Sequence, residues 1–272
     1  MTGWLGPILI TGTDTGVGKT VVTAAIAASA QRAGLRVAML KPAQTGGDDD
    51  ATTVAAHAAM PAPQTPNRET PNLETQNHST PRTATMTTRT LARYPEPLAP
   101  QAAARAAGIP PLLLAAAVGA VNELRADHDM VLVEGAGGVL VPMGTAGWTV
   151  RDLAVRCEMS VVVVTRAGLG TLNHTALTLE ALAGLPTVVV LGSWPKVPEL
   201  VHRSNLIDLR SGAEANPNTA GAQIAGAVPE GAGALAPDRF RAAAPGWLTP
   251  TLHGSFDVNR FLQGADALTA HP

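Results

Sequence analysis

The chain has 272 residues, enough for one domain with additions, and 46% of them are hydrophobic while only 3% are aromatic, so an aliphatic core is expected and disorder throughout is excluded. Lysine and arginine total 19 against 21 acids, a formal net charge of −2 that offers no general attraction to nucleic acid or to an anionic membrane surface. The opening MTGWLGPILITG has no basic leader, and no later apolar run is long enough to span a bilayer, so a soluble cytoplasmic protein is expected. Ile8 to Thr11 then reads as a buried strand, Thr20 to Ala33 as a helix stopped by Gly34, and Arg36 to Leu40 as a second strand ending at Lys41. A further strand, Met130 to Val133, ends at Glu134, and Thr149 to Cys157 suits a helix. Val161 to Thr165 is a strand, Leu172 to Ala183 a helix capped by Gly184, and Thr187 to Leu191 another strand. Short, continuously apolar strands alternating with alanine-rich helices predict an α/β fold, with a mostly parallel sheet and helices on both faces.

Two stretches break this rhythm. From Pro61 to Thr90 the sequence is mostly Thr, Pro, Asn and Gln, with the echo QTPNRETPNLETQNHSTPRT, and it reads as a low-complexity, disordered insertion at about 61–90. The tail, 246–272, carries Trp247, Leu248, Phe256, Phe261 and Leu262 without a clear period, which leaves open whether it packs. The domain is therefore expected to occupy 1–245. The lone Cys157 excludes an intrachain disulfide framework and a cysteine-rich metal site, in keeping with a reducing cytosol.

Directly after the first strand comes GTDTGVGKT, Gly12 to Thr20. A glycine-rich turn leading from strand into helix lets backbone N–H groups surround phosphate oxygens, with Lys19 reaching the outer phosphates and Thr20 reaching Mg²⁺. Nucleotide binding is thus expected at Thr13, Thr15, Gly16, Val17, Gly18, Lys19, Thr20 and Val21. Only three lysines occur, Lys19, Lys41 and Lys196, while every other basic residue is arginine, so a compact point charge is expected to matter where lysine is kept. Lys41 opens KPAQTGGDDD at the end of its strand, where ligands of open α/β sheets bind, and Pro42 is expected to fix the turn after it. Carboxylates for a metal are offered by Glu134, at the end of an apolar strand, and by Asp48 to Asp50; the aspartate run reads equally as a solvated loop or as helix N-terminal charge.

Taken in order, GTDTGVGKT, KPAQTG, DDDA, YPEPLAP, VEGAGGVLVP, GLGTLNHT and GSWP resemble the dethiobiotin synthetase family. The likeness covers roughly 8–60 and 91–241. It implies a single-domain P-loop NTPase fold and a Mg²⁺-dependent ligase that closes a ureido ring on 7,8-diaminopelargonate with CO₂ and ATP or another nucleoside triphosphate. By motif position, Lys19 would hold the γ-phosphate and Lys41 would stabilise carbamate and transferring phosphoryl group. Thr20, Asp50 and Glu134 would surround the metal. Thr15, Lys41, Thr45, Glu134 and Gly137 would meet the diamine or its carbamate. Leu169, Gly170, Leu172 and Asn173 would reach the substrate's carboxylate from a neighbouring subunit, implying a homodimer; on their own, Asn173 and His174 read as ordinary helix capping.

Two departures stand out. Some relatives carry an acid where this chain has Gly16. Relatives that read adenine have an asparagine after the strand that here ends in LGSWP, so Gly192, together with Pro229 and Gly231 of VPEGA, is expected to line the base pocket through backbone contacts, and the preferred base is left open. Other classes fit less well. A ParA- or MinD-like nucleotide-switched ATPase would carry an extra lysine early in the phosphate loop, where this chain has GTDTG. A glutamine-dependent amidoligase would need a second domain with a nucleophilic cysteine.

Overall fold

The computed structural model describes residues 3–60, 86–215 and 223–267. Seven strands form one sheet in the order β3-β2-β4-β1-β5-β6-β7, every neighbouring pair parallel. The strands are β1 (Gly6–Gly12), β2 (Val37–Thr45), β3 (Thr87–Tyr94), β4 (Met130–Gly138), β5 (Ser160–Thr165), β6 (Thr187–Trp194) and β7 (Gln223–Pro229). The helices are α1 (Lys19–Arg32), α2 (Asp50–Ala58), α3 (Pro100–Ala107), α4 (Leu114–Asp127), α5 (Val150–Arg156), α6 (Thr171–Ala181), α7 (Leu200–Ala215), α8 (Pro237–Ala243) and α9 (Val258–Ala267). None of the helices among the described residues is long and apolar enough to cross a membrane.

Strand periodicity divides the core. Ile8 and Ile10 of β1, Met130 and Leu132 of β4, and Val162 and Val164 of β5 face one side, under α1, α2 and α8. Leu9, Val131, Val133, Val161 and Val163 face the other, under α3, α4 and α5. Because both faces are covered, the central strands are apolar at every position rather than at every second one. Helix α1 is buried almost all round, and its run of alanines lets it lie close to the sheet. At its start sits the phosphate loop.

The strands that carry the site are longer than their apolar runs. β2 continues through Lys41 and Pro42 to Thr45, and β4 continues through Glu134 to Gly138, so both charged side chains are inside strands and not at their ends. Pro42 therefore does not form a turn. Pairing of β2 with β4 stops at Leu40, and beyond it the strand is bonded to β3 alone, which tolerates a residue without an N–H. At the far edge, β3 begins at Thr87, so the last four residues of the expected insertion belong to the sheet. Of the rest of that expectation, Met86 leads into the strand and 61–85 lies outside the described residues. In the tail, Leu248 and Leu252 are fully buried against α1 and α8, Thr249 N donates to Ala225 O at 2.9 Å, and Leu262 packs with Leu206 and Ile224.

Candidate active site

The loop from Thr13 to Gly18 joins the central strand β1 to α1. Gly16 and Gly18 take positive φ of 73° and 96°, which a side chain would resist. Gly18 also lies against the end of β6: a Cβ on it would stand 2.7 Å from Gly192 O, and a Cβ on Gly192 would stand 1.9 Å from Val17 O. The two glycines let loop and strand touch backbone to backbone. Thr13 N–H donates to Val164 O at 3.0 Å, which ties the loop to β5 as well.

Two lysines stand over the sheet's carboxyl edge. Lys19 Nζ donates to Asp14 O at 2.9 Å, and burial holds its pKa below the ordinary lysine value despite the nearby charge of Glu134. Lys41 Nζ lies 3.0 Å from Glu134 Oε1 and 2.6 Å from Asp50 Oδ2, and it donates to Gly135 O at 3.1 Å. Burial alone would lower its pKa, but the charges of Glu134 and Asp50 and their hydrogen bonds prevail, and the ammonium is held above the ordinary value. Asp50 shows the converse. Burial would raise its pKa, yet Lys41 and the Thr20 hydroxyl hold it below the ordinary carboxylate value.

Thr20 Oγ1 is 3.0 Å from Asp50 Oδ1 and 3.1 Å from Glu134 Oε1. A hydroxyl has one proton, so it donates to one carboxylate at a time while both crowd the same oxygen. Two carboxylates and a hydroxyl converging in this way form a hard-oxygen donor set of the kind Mg²⁺ takes beside phosphate oxygens. Among the described residues there is no cluster of three or more His, Cys, Asp or Glu side chains suited to a metal.

The aspartate run resolves into separate tasks. Asp49 caps α2 by accepting Thr52 N–H at 3.1 Å and pairs with Arg93 at 3.0 Å, whereas Asp50 turns inward. Gln44 Oε1 accepts the Asp50 N–H at 3.2 Å and so holds the start of α2 against β2. A cavity of about 590 Å³ opens above these groups. Its lining brings together Thr15, Gly16, Gly18, Lys19, Thr20, Val21, Lys41, Thr45, Asp50, Glu134 and Gly137, with Pro97 to Pro100 as a wall.

Other expected positions lie outside this lining. Thr13 and Val17 belong to the loop itself but do not line the cavity. Gly192 supports it from β6, and the turn holding Pro229 and Gly231 is tied to β6 by Glu230 N–H donating to Trp194 O at 2.8 Å. Leu169, Gly170, Leu172 and Asn173 form the start of α6, with Leu169 86% exposed. Buried Asn205 of α7 donates to both Ala167 O and Gly168 O at 2.9 Å and pins that segment. Sequence reasoning did not find Thr23, Gln44 or Asn205. Thr23 had a usable signal, because a residue three after Thr20 on a helix shares its face.

A parallel sheet whose central strand runs through a Gly-Lys-Thr loop into a buried helix, with an acid on the adjacent strand, defines a nucleotide-binding protein of the P-loop class. A family model described as AAA domain matches residues 7–229. A ParA family ATPase from Chlorobium tepidum shares the fold, with a TM-score of 0.50 at 12% identity over 91% of this chain and 96% of that one. Closer in sequence is the ATP-dependent dethiobiotin synthetase BioD of Streptomyces avermitilis, 47% identical over 93% of this chain and 96% of the relative. Its counterpart in Rhodococcus jostii is also 47% identical, over 90% and 95%. The chain belongs to the dethiobiotin synthetase family.

Proposed function

We propose that this protein is a Mg²⁺-dependent ligase that forms dethiobiotin from 7,8-diaminopelargonate, CO₂ and ATP; the name of its relatives, ATP-dependent dethiobiotin synthetase, supports the triphosphate and the product of that reading. The reaction joins one amine to CO₂ as a carbamate. The carbamate oxygen then attacks the γ-phosphorus and ADP leaves; finally the second amine attacks the carbamoyl carbon, phosphate departs and the ring closes. Little of this needs covalent help from the protein. What it requires is close placement of two anionic groups, the carbamate and the triphosphate, and cancellation of their repulsion.

The observation that carries the reading is Lys41, an ammonium held charged between Glu134 and Asp50 on the cavity floor, across from Lys19. The phosphate loop would receive the triphosphate through its backbone N–H groups, and Lys19 would swing from Asp14 O to the γ-phosphate. Lys41 would neutralise the carbamate and the phosphoryl group as they meet. Thr15, Thr45 and Gly137 line the wall where the diamine would lie. Thr20, Asp50 and Glu134 would hold Mg²⁺, which supplies charge neutralisation between the phosphates. Gly192, Pro229 and Gly231 are proposed to meet the base.

The start of α6 is proposed to complete the site of a second copy, with Leu169, Gly170, Leu172 and Asn173 on the diamine's carboxylate. An apolar side chain as exposed as Leu169, on a segment pinned by Asn205, supports that placement. A cytoplasmic location is likewise proposed. The test is Lys41→Ala: turnover is expected to fall about a hundredfold or more with triphosphate affinity largely kept. Near-normal turnover in folded protein would refute the assignment.

A further inference from the structure

Glu134 is the most deeply buried acid of the site, only 1% exposed, and its two oxygens face different surroundings. Oε1 meets Lys41 and Thr20, at 3.0 and 3.1 Å. Oε2 is met at 2.8 Å by the hydroxyl of Thr23, a residue that does not line the cavity. Thr23 is fully buried on α1, one turn beyond Thr20. Its Oγ1 also lies 2.9 Å from Lys19 O, the ordinary back-bond of a threonine within a helix. A single hydroxyl proton serves one acceptor at a time. The carboxylate is the stronger and the nearer of the two, while Lys19 O is also the i−4 acceptor of the helix ladder.

We propose that Thr23 is a positioning residue for the metal-binding carboxylate: by donating to Glu134 Oε2 it fixes the rotation of that carboxylate and keeps Oε1 turned toward Lys41 and Thr20. The inference rests on the reading of Glu134 as a Mg²⁺ ligand. A carboxylate that binds a cation through one oxygen needs a donor on the other, or its plane is free to rotate and the bound state carries an added ordering penalty. The pairing also has a structural economy. Helix α1 supplies the phosphate loop's lysine at Lys19, a metal-facing hydroxyl at Thr20 and the rear support at Thr23. Displacement of the helix would therefore move all three together.

The test is the gain in ATP affinity produced by Mg²⁺, measured by calorimetry in EDTA and in saturating Mg²⁺, for wild type, Thr23→Val and Thr23→Ser. Valine keeps the shape and removes the donor; serine keeps the donor. The expected result is that Thr23→Val lowers the Mg²⁺-dependent gain about ten- to hundredfold, with affinity in EDTA unchanged, and that Thr23→Ser restores it. A purely structural role would shift the melting temperature and the affinity in EDTA while leaving the Mg²⁺-dependent gain intact, and that outcome overturns the inference. If Thr23→Val does not fold, Thr23→Ala is measured in its place and is expected to lose gain in the same direction; equality with wild type overturns the proposal. A wild type whose ATP affinity shows no Mg²⁺ dependence would instead overturn the metal reading of Glu134, and the inference with it.

Discussion

Gly192 shows how a single residue can matter to a site without lining it. No positive φ demands glycine there; the constraint is the backbone of Val17, whose oxygen would lie 1.9 Å from a Cβ, with Val164 Cγ1 only 2.6 Å away. Neither the loop oxygen nor the strand can yield cheaply, so Gly192→Ala is expected to push the phosphate loop out of register. Misplacement by about 1 Å of groups that must surround phosphate is worth about tenfold or more, and triphosphate affinity should drop by that amount in calorimetry while the far-UV spectrum is kept. Unchanged affinity would show that the loop is set by its own glycines alone. The residues that hold phosphate were legible because the motif is contiguous: strand, glycine-rich turn, lysine, threonine. Thr23 and Asn205 were less so, since each acts on a residue distant in sequence, 111 and 38 positions away, and neither Thr23's shared face with Thr20 nor an isolated Asn names that partner; Gln44, six positions from Asp50, lay in a stretch that reads as a loop.

Among the elements, those that were legible are the ones buried on both faces. β1, β5 and β6 are runs of β-branched and aliphatic residues, and their observed bounds differ from expectation only at the ends. β3, TTRTLARY, was missed because it is an edge strand with exposed Thr and Arg, polar enough to merge with the Thr-rich segment before it. The carboxyl halves of β2 and β4 were missed for the opposite reason. KPAQT and EGAGG look like loops, but Lys41 and Glu134 are buried and paired with each other instead of being solvated. Helix α5 was legible at both ends, and its N-terminus carries a capping box in which Thr149 Oγ1 accepts Asp152 N–H while Asp152 Oδ2 accepts Thr149 N–H at 2.8 Å. Thr149→Ala is expected to lower stability by about 1 kcal/mol in urea unfolding with no change in nucleotide binding. A loss confined to activity would mean that α5 does more than cover the sheet.

The molecule as a whole separates stability from chemistry by placing them at opposite ends of the sheet. At the amino end of the central strands, Asp129 accepts from Arg36 N, Nε and Nη2 at 2.8, 3.1 and 2.8 Å, and its backbone oxygen accepts Gly6 N–H at 2.8 Å, so one residue ties β1, β2 and β4 together. The hydrogen bonds from Arg36 lower its pKa from the ordinary 3.8 to about 2. A depressed carboxyl stabilises the fold fully above 3.8, and that contribution is lost as pH falls through about 2. The pair is partly exposed, which limits its worth. Asp129→Asn should lower stability at neutral pH and flatten the acid limb of stability between 3.8 and about 2, with turnover per folded molecule unchanged. A limb as steep as in wild type would assign acid sensitivity to other carboxylates.

At the carboxyl end, the lysines, the carboxylates and the hydroxyls of the proposed mechanism are gathered within one cavity, while the residues proposed to meet the base and those that a second copy would bring lie outside it. Whether this cavity joins CO₂ and a diamine at the expense of a triphosphate is decided by product detection. Purified protein is mixed with 7,8-diaminopelargonate, bicarbonate and Mg²⁺, with ATP, CTP and GTP in parallel, and dethiobiotin is sought by mass spectrometry beside a Lys41→Ala control. Dethiobiotin is expected with at least one triphosphate and is expected to be nearly absent from the control. Folded protein that binds triphosphate yet forms no dethiobiotin with any of the three would leave the phosphate loop intact and contradict the ligase.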